Sequence, residues 1–309
     1  MEAVLPYLAP SLREPVAGAA RRLPGLEEIR LRAGRPVELV AAAGSGFVTE
    51  DGRLAAEAEA GRPIGAEEVS RTFQLVCQGS VYAWEEELRG GFVTLPGGHR
   101  VGVAGRAVVE GGRVRTIRPV GGLNIRIARQ VRGAALSLLP RLRRAGGRLA
   151  STILLAPPGG GKTTLLRDLI RLVSGGVPAL GLAGARVTVV DERSEIAGCV
   201  AGVPSLDVGP RTDVLDGCPK AEGMMLAIRA LSPEVLAVDE IGRPEDVVAL
   251  REALRTGVTV LATAHAGSVE EARRRPALGP LLGEGAFERA VVLSRRSGPG
   301  TVEAVWPAG

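Results

Sequence analysis

Residues 156–170 read APPGGGKTTLLRDLI, and this stretch decides the fold of the chain. It follows the apolar run STILLA at 151–156 and leads into a segment with helical periodicity. A glycine-rich turn between a buried strand and a helix brings backbone N–H groups together at the helix N-terminus, where they can hold phosphate oxygens. The sequence therefore predicts a phosphate-binding loop of the form GxxxxGK[ST], with Ala156 in the place of the first glycine.

Lys162 is one of only two lysines among the 39 lysines and arginines of the chain. A compact ammonium on a flexible stem suits contact with the β- and γ-phosphates of ATP, and the hydroxyl of Thr163 is a ligand for Mg²⁺. The alternative is a glycine-rich turn that binds nothing. The residues predicted to bind ATP here are Pro158, Gly159, Gly160, Gly161, Lys162, Thr163 and Thr164.

A second apolar run, EVLAVDEIG at 234–242, ends in two carboxylates. Asp239 is predicted to hold Mg²⁺ through water, and Glu240 to orient or deprotonate the water that attacks the γ-phosphate. Two solvated acids at a strand end are the alternative. If both roles hold, the pair favours hydrolysis of ATP over its storage.

Two further runs also end in polar side chains. VVDERSE at 189–195 supplies Asp191 and Glu192, and VTVLATAHA at 258–266 supplies Thr263 and His265. In a parallel sheet such strand ends gather at the edge where ligands bind, so we expect Asp191 and Glu192 to flank the same nucleotide. His265 is expected to lie beside the γ-phosphate, where a hydrogen bond lets it sense hydrolysis. A helix N-cap for the acids and an ordinary polar strand end for the histidine are the alternatives.

The order of apolar strands and helices defines the fold class. Residues 151–309 predict an α/β, RecA-like P-loop ATPase domain with a mostly parallel sheet, because unalternating apolar strands joined by helices are buried on both faces. Residues 1–132 predict a small, basic α+β domain, with helical periodicity between 66 and 91 and period-two alternation from 92 onward. Residues 133–150 are expected to form a linker containing a short helix that ends at Gly146–Gly147.

Charge is divided unevenly between the two parts. Residues 1–150 hold 22 arginines against 15 acidic residues, whereas residues 151–309 hold 17 basic against 19 acidic residues. No acidic residue occurs between Glu110 and Asp168. The arginines there can solvate an exposed face, meet an acidic partner or contact phosphate.

Composition excludes several other classes. Aromatic residues make up only 3% of the chain, which argues against single-strand nucleic-acid binding by base stacking. The three cysteines, Cys77, Cys199 and Cys218, form no CxxC pattern, so neither a disulfide framework nor a zinc site is expected. The start of the chain has no signal-peptide pattern and no run is long enough to span a bilayer, which predicts a reduced, cytosolic protein.

Taken together, these motifs resemble those of the ATPases of type II and type IV secretion systems. Several stretches are more narrowly similar to the stage III sporulation protein AA family, and the similarity extends from about Gly25 to Arg295. They are SVYAWEEELRGGF, GGHRVGVAGR, LNIRIAR, VDERSEIAGCVAGVPSLDVGPRTDVLDGCPKAEGMM and SPEVLAVDEIGRPED.

The resemblance implies a cytoplasmic ATPase of the mother cell, a hexamer that docks on a membrane channel around the forespore. It also implies roles for individual residues. Gly161, Lys162 and Thr163 would bind phosphates and Mg²⁺, Glu240 would activate water, and His265 would form the histidine box. Asp191 and Glu192 would form the acidic box, while Arg100, Arg106 and Arg126 would reach nucleotide in the same or a neighbouring subunit.

The sequence departs from the pattern of secretion ATPases at three positions. Ala156 replaces the first glycine of the loop, where a small residue suffices. Asp239 stands before Glu240 where these ATPases usually have glycine, and Arg243 lies one place further along than their arginine.

Two other functions remain open at this point. A RecA-like nucleic-acid-dependent translocase is favoured by residues 111–150, in which every charged residue is an arginine. A small-molecule kinase would need an acceptor site and a lid, for which the sequence offers no candidate.

Overall fold

The structure is a computed structural model. It describes residues 1–41, 43–79, 84, 88, 91–128, 130–144 and 147–307, apart from the side chain of Arg113. The chain forms two compact units, Met1–Arg129 and Gln130–Gly309, called here the first and second units. Among the described residues, no helix combines the length and apolar character needed to cross a membrane.

The first unit is an antiparallel sheet of seven strands in the order β4-β3-β2-β1-β7-β6-β5. Helices α1 and α2 pack against it, through Leu12 and Val16 of α1 and Val69 and Phe73 of α2. The strands are β1 (Leu26–Arg32), β2 (Glu38–Ala41), β3 (Gly44–Val48), β4 (Leu54–Ala55), β5 (Phe92–Leu95), β6 (His99–Glu110) and β7 (Arg113–Arg126). The helices are α1 (Pro10–Ala20) and α2 (Ala66–Val76), with 3₁₀ turns at Leu5–Tyr7 and Ala58–Ala60.

The hairpin formed by β6 and β7 extends into solvent at its tip. Its turn consists of Gly111 and Gly112, whose φ angles of 58° and 77° suit a two-residue hairpin turn. The side chains of Val108 and Val109 are exposed near this tip. The helical periodicity predicted between 66 and 91 begins as α2, and most of its continuation after residue 79 lies outside the described residues.

The second unit is a sheet of seven strands in the order β10-β9-β11-β12-β8-β13-β14. All pairs are parallel except β13 with β14. The strands are β8 (Thr152–Ala156), β9 (Val187–Asp191), β10 (Thr212–Asp216), β11 (Val235–Val238), β12 (Thr259–His265), β13 (Arg289–Ser294) and β14 (Thr301–Pro307). The helices are α3 (Lys162–Gly175), α4 (Lys220–Leu226), α5 (Pro244–Arg255), α6 (Val269–Arg274) and α7 (Leu278–Gly283). Short turns are 3₁₀ at Leu139–Leu142 and Pro178–Leu180, and a π-helical turn at Ala227–Leu231 continues α4.

Burial on both faces explains why the strands of this sheet carry apolar residues without alternation. Every residue of β8 is buried. Ile153 and Leu155 contribute to one core with α4, α5 and α7, whereas Leu154 and Ala156 contribute to a second core with α3. A strand packed on both sides has no solvent-facing position at which a polar side chain would be favoured.

The expectation that residues 133–150 form a separate linker is wrong. These residues belong to the second unit, where Leu138, Leu139 and Leu142 are buried in the core beside α3. The carboxylate of Asp168 on α3 accepts the backbone N–H groups of Gly133 and Ala135, at 3.1 and 2.8 Å, and fixes the start of the segment. The expected helix is a 3₁₀ turn at Leu139–Leu142, and Gly146 lies outside the described residues.

Candidate nucleotide-binding site

The parallel register brings the ends of four strands to one edge of the second sheet. His265, the last residue of β12, pairs in register with Ala156, the last residue of β8. The ends of β11 and β9 follow on the other side of β12, because β11 pairs with both β12 and β9. Residues after Val238 and Asp191 therefore face the loop that follows β8, as the sequence predicts.

The loop from β8 to α3 requires its three glycines for different reasons. Gly159 and Gly161 have φ angles of 69° and 84°, in the left-handed region that glycine adopts without strain. A Cβ atom at Gly160 would lie 2.7 Å from Cβ of Ala156, so this position is closed to larger residues. Helix α3 then begins at Lys162, and its first turn presents N–H groups that have no partner within the helix.

Lys162 and His265 meet at the sheet edge. Nζ of Lys162 lies 3.1 Å from Nδ1 of His265. Because an ammonium only donates hydrogen bonds, Nδ1 is the acceptor, and the imidazole proton resides on Nε2. Nε2 lies 3.4 Å from Oε1 of Glu240, so His265 stands between Lys162 and that carboxylate.

Burial and neighbouring carboxylates oppose one another at Lys162. Burial lowers the pKa of Lys162 from its ordinary value, because desolvation disfavours the ammonium. The charges of Asp239, Glu240 and Glu195 act in the opposite direction and favour the ammonium. The loop thus holds a largely buried cation close to three acids, an arrangement that an incoming phosphate can complete.

The carboxylate of Asp239 forms hydrogen bonds with the first turn of α3 and with β12. Its Oδ2 accepts the hydroxyl of Thr163 at 2.7 Å, and its Oδ1 accepts the hydroxyl of Thr263. A hydroxyl and a carboxylate side by side are the oxygen ligands that Mg²⁺ prefers, and Mg²⁺ usually adds waters and substrate phosphates to one or two protein ligands. The described residues contain no group of three or more His, Cys, Asp or Glu residues suited to a metal ion. The pair Thr163 and Asp239 therefore fits Mg²⁺ that binds together with a nucleotide.

Glu240 has a backbone conformation that is costly for a residue with a side chain. Its φ is 51°, in the left-handed region. Its N–H donates to Oγ1 of Thr263 at 2.9 Å, and the N–H of Ile241 donates to the carbonyl of Thr263 at the same distance. Oε2 of Glu240 accepts a hydrogen bond from Arg193 at 3.0 Å. Strain of this kind persists where the surroundings fix a side chain for a task.

Asp191 lies at the predicted edge, but its carboxylate is occupied by the backbone. It accepts the N–H groups of Glu195, Ile196 and Ala197 at 2.8, 2.9 and 2.8 Å, and it is 2% exposed. The guanidinium of Arg167 donates to the carbonyl groups of Glu195 and Ile196 from the other side. Asp191 therefore caps the backbone of the loop at 194–197, which is not a helix, so the alternative of a helix N-cap is wrong. Contact of Asp191 with a nucleotide stays a prediction.

Glu192 is held by a residue that the sequence analysis missed. Oε2 of Glu192 accepts a hydrogen bond from Nζ of Lys220 at 2.7 Å, and Oε1 lies 3.8 Å from Arg243. Burial acts to raise the pKa of Glu192, but the hydrogen bond and charge of Lys220 outweigh it and keep that pKa below its ordinary value. Both lysines of this arginine-rich chain thus lie at one sheet edge. The rarity of lysine, which singled out Lys162, was the available signal for Lys220.

The structure places the other predicted residues in two groups. Pro158, Gly159 and Thr164 lie in the loop or in the first turn of α3, beside Lys162. Arg100, Arg106 and Arg126 lie on β6 and β7 of the first unit. Arg100 stacks on Phe92, with 3.8 Å between its guanidinium carbon and the ring centroid, and Arg126 lies 3.7 Å from Glu28. The contact of these three arginines with nucleotide stays a prediction.

The sequence is similar to a known family along nearly its whole length. A family described as sporulation stage III, protein AA, matches residues 1–308. The stage III sporulation protein AA of Bacillus subtilis (strain 168) is 46% identical over 281 residues, which are 91% of this chain and 86% of that protein. The protein SEEDLING PLASTID DEVELOPMENT 1 of Arabidopsis thaliana is 31% identical over 164 residues, which are 52% of this chain but 22% of the plant protein.

The fold is similar to that of the ATPase DotB and of the pilus retraction motor PilT. The ATPase DotB of Legionella pneumophila superposes with a TM-score of 0.55 at 15% identity, over 86% of this chain and 72% of DotB. The pilus retraction motor PilT, solved with ADP, superposes with a TM-score of 0.57 at 17% identity, over 90% of this chain and 76% of PilT. At these identities the likeness concerns the fold alone.

The titration of Asp191 gives a testable dependence of stability on pH. Burial raises the pKa of Asp191 from 3.8 to about 6, and the charge of Asp216 adds to this, although the three N–H groups oppose it. The pKa of this carboxyl is higher in the folded than in the unfolded state, so between pH 3.8 and about 6 the folded state binds more protons. The contribution of the carboxyl to the unfolding free energy therefore falls as pH rises through this range. From about pH 4 to about pH 7, the unfolding free energy of the wild type should therefore fall by about 2 kcal/mol relative to Asp191→Asn.

Urea unfolding of both proteins across this pH range measures the difference. Asp213→Asn, at an exposed position of β10, is the matched control and should follow the wild type at every pH. A constant difference between the wild type and Asp191→Asn would contradict the assignment of a raised pKa to this carboxyl.

Proposed function

Because this chain belongs to the sporulation stage III protein AA family, as its motifs predict, we propose that it is the ATP-hydrolysing, oligomeric motor of a secretion-like channel complex specific to sporulation. We assign its second unit to the RecA-like P-loop ATPases. The observation that carries the proposal is the meeting of Lys162, the Thr163–Asp239 pair and Glu240 at one sheet edge.

The geometry of the loop supports the binding of ATP. The loop leads directly into the N-terminal end of α3, where the first N–H groups of the helix have no partner within it and the helix dipole favours an anion. Nζ of Lys162 contacts Nδ1 of His265, and the flexible stem of the lysine would let the ammonium turn toward the γ-phosphate of ATP. Thr163 and Asp239 would hold Mg²⁺, which neutralises charge on the β- and γ-phosphate oxygens.

Glu240 is assigned the activation of water. Its carboxylate accepts the proton of the attacking water while the water oxygen bonds to the γ-phosphorus and the bond to the β–γ bridging oxygen breaks, which releases ADP and phosphate. Arg193 and His265 orient the two carboxylate oxygens, at 3.0 and 3.4 Å. The strained backbone of Glu240, fixed by Thr263, keeps the carboxylate in this position.

The acidic box is assigned a supporting part in the same reaction. Asp191 fixes the loop at 194–197, and this loop follows directly on Arg193, the partner of Glu240. Glu192, held by Lys220, presents negative charge at the same edge. Asp191 is thus a positioning residue in our proposal, and Glu192 remains a candidate for contact with the nucleotide or its Mg²⁺.

Assembly is part of the proposal. We infer that the protein forms a hexamer in the cytoplasm of the mother cell and associates with the membrane through channel proteins of the sporulation complex. Arg100, Arg106 and Arg126 would then reach the nucleotide of the same or a neighbouring subunit, because arginine supplied across an interface stabilises the charge that develops at the γ-phosphate.

A RecA-like ATPase that depends on nucleic acid is the second candidate. The exposed hairpin of β6 and β7, which carries Arg106 and Arg115, favours it, since arginines on an exposed ribbon can contact phosphates of DNA or RNA. Stimulation of ATP turnover by DNA or RNA, lost at raised salt, would select this function over the channel motor.

Glu240→Gln should bind ATP as tightly as the wild type does. Its rate of ATP hydrolysis should be lower by about a hundredfold or more, because an amide accepts no proton from water.

Lys162→Ala should instead weaken ATP binding by about tenfold or more, since a charge-assisted contact to phosphate is lost. Fluorescence titration with a labelled nucleotide and a phosphate-release assay separate the two effects. Glu245→Gln, an exposed acid on the first turn of α5, is the control and should behave as the wild type. Normal hydrolysis by Glu240→Gln would refute the assignment of the base.

Turnover per subunit should rise with protein concentration as the ring assembles. Light scattering gives the particle mass in parallel with the ATPase rate, and the two curves should have the same midpoint if the active site is shared between subunits. A rate per subunit that is independent of concentration while the protein remains monomeric would mean a self-contained site and would exclude a ring motor.

A further inference from the structure

The turn between β13 and β14 lies directly against the phosphate-binding loop. The N–H of Gly300 donates to the carbonyl of Gly160 at 3.0 Å. A Cβ atom at Gly161 would lie 2.5 Å from the backbone nitrogen of Gly300, so the two segments touch backbone to backbone. The last hairpin of the chain, residues 289–307, is therefore fixed to the loop that receives the phosphates.

This turn carries two consecutive arginines in different surroundings. An Nη atom of Arg295 lies 3.6 Å from the place where a Cβ atom of Gly159 would stand, so its guanidinium lies beside the loop. The side chain of Arg295 is exposed, and in the described part of the chain its guanidinium makes no hydrogen bond or ion pair with another residue. The backbone carbonyl of Arg295 accepts the N–H of Gly298 at 3.1 Å. Arg296 lies 3.7 Å from Glu303 on β14, and its side chain is 80% exposed.

Two other cations at this edge are already paired with carboxylates. Arg193 pairs with Glu240 at 3.0 Å, and Lys220 pairs with Glu192 at 2.7 Å. Arg295 thus offers its charge and its planar set of donors to a ligand of the loop rather than to a carboxylate of the protein. The hydrogen bonds from Gly300 to Gly160 and from Gly298 to Arg295 anchor the backbone of the turn, so binding an anion would order only the side chain of Arg295.

We propose that Arg295 is a further nucleotide-binding residue, whose guanidinium contacts the phosphate chain of the nucleotide held by the loop of the same subunit. The geometry of a guanidinium matches two phosphate oxygens at once. The phosphate chain then lies between the loop N–H groups, Lys162 and Arg295. This assignment rests on the proposed function, because it requires a nucleotide in the loop.

The test compares Arg295→Ala with Arg296→Ala in the full-length protein, with ADP and inorganic pyrophosphate as ligands in calorimetric titrations. Arg295→Ala should weaken both ligands by about tenfold or more, because each loses a charge-assisted contact. Arg296→Ala should bind both as the wild type does. Thermal unfolding of the two variants should match the wild type, since both side chains are exposed.

Three results would overturn the assignment. Unchanged binding of both ligands by Arg295→Ala would show that Arg295 does not contact the phosphate chain. Equal weakening by both variants would reduce it to a general effect of surface charge. If Arg295→Ala binds ADP more weakly but binds pyrophosphate as the wild type does, Arg295 contacts the nucleoside and not the phosphate chain. If the wild type binds neither ligand, the proposed function fails and this inference fails with it, whereas the other three results leave the proposed function intact.

Discussion

The parallel register of the second sheet is the constraint on which the candidate site depends. Pairing of Ala156 with His265 fixes where the loop from β8 to α3 begins and which side chain of β12 meets Lys162. The same register brings the end of β11 beside β12, so that Asp239 accepts hydrogen bonds from hydroxyls of both α3 and β12. A shift of one residue would reverse the face of every side chain in a strand and separate these groups.

The polar groups at this edge form a connected arrangement without nucleotide. Lys162 donates to His265, His265 lies next to Glu240, and Glu240 accepts from Arg193. Burying a cation is costly unless nearby groups compensate, and the acids around Lys162 supply that compensation. An ATP phosphate offers the ammonium a stronger partner than the ring of His265 does, so ATP binding would release His265 and change the surroundings of Glu240. In our account this exchange links nucleotide binding to the catalytic base.

Local sequence patterns were sufficient to locate the loop before α3 and the polar residues at the strand ends. They were insufficient for residues whose contact partners lie far away in the sequence. The glycines before Lys162 and the acids after β11 are adjacent to the elements that position them, so periodicity and spacing located them. The burial of 133–150 depends on α3, and the cap made by Asp191 depends on a loop whose path no local pattern encodes. Lys220 and Arg295 reach the edge only through tertiary packing.

The central claim is that the loop at 156–164 holds the phosphates of ATP, with Mg²⁺ on Thr163. A crystal structure of Glu240→Gln grown with Mg²⁺ and ATP tests it most directly, because the substitution should preserve the bound triphosphate. Our account predicts phosphates on the N–H groups of residues 159–164, Nζ of Lys162 on the γ-phosphate and away from His265, and the metal on Oγ1 of Thr163. ATP bound elsewhere, with Lys162 still on His265, would contradict it.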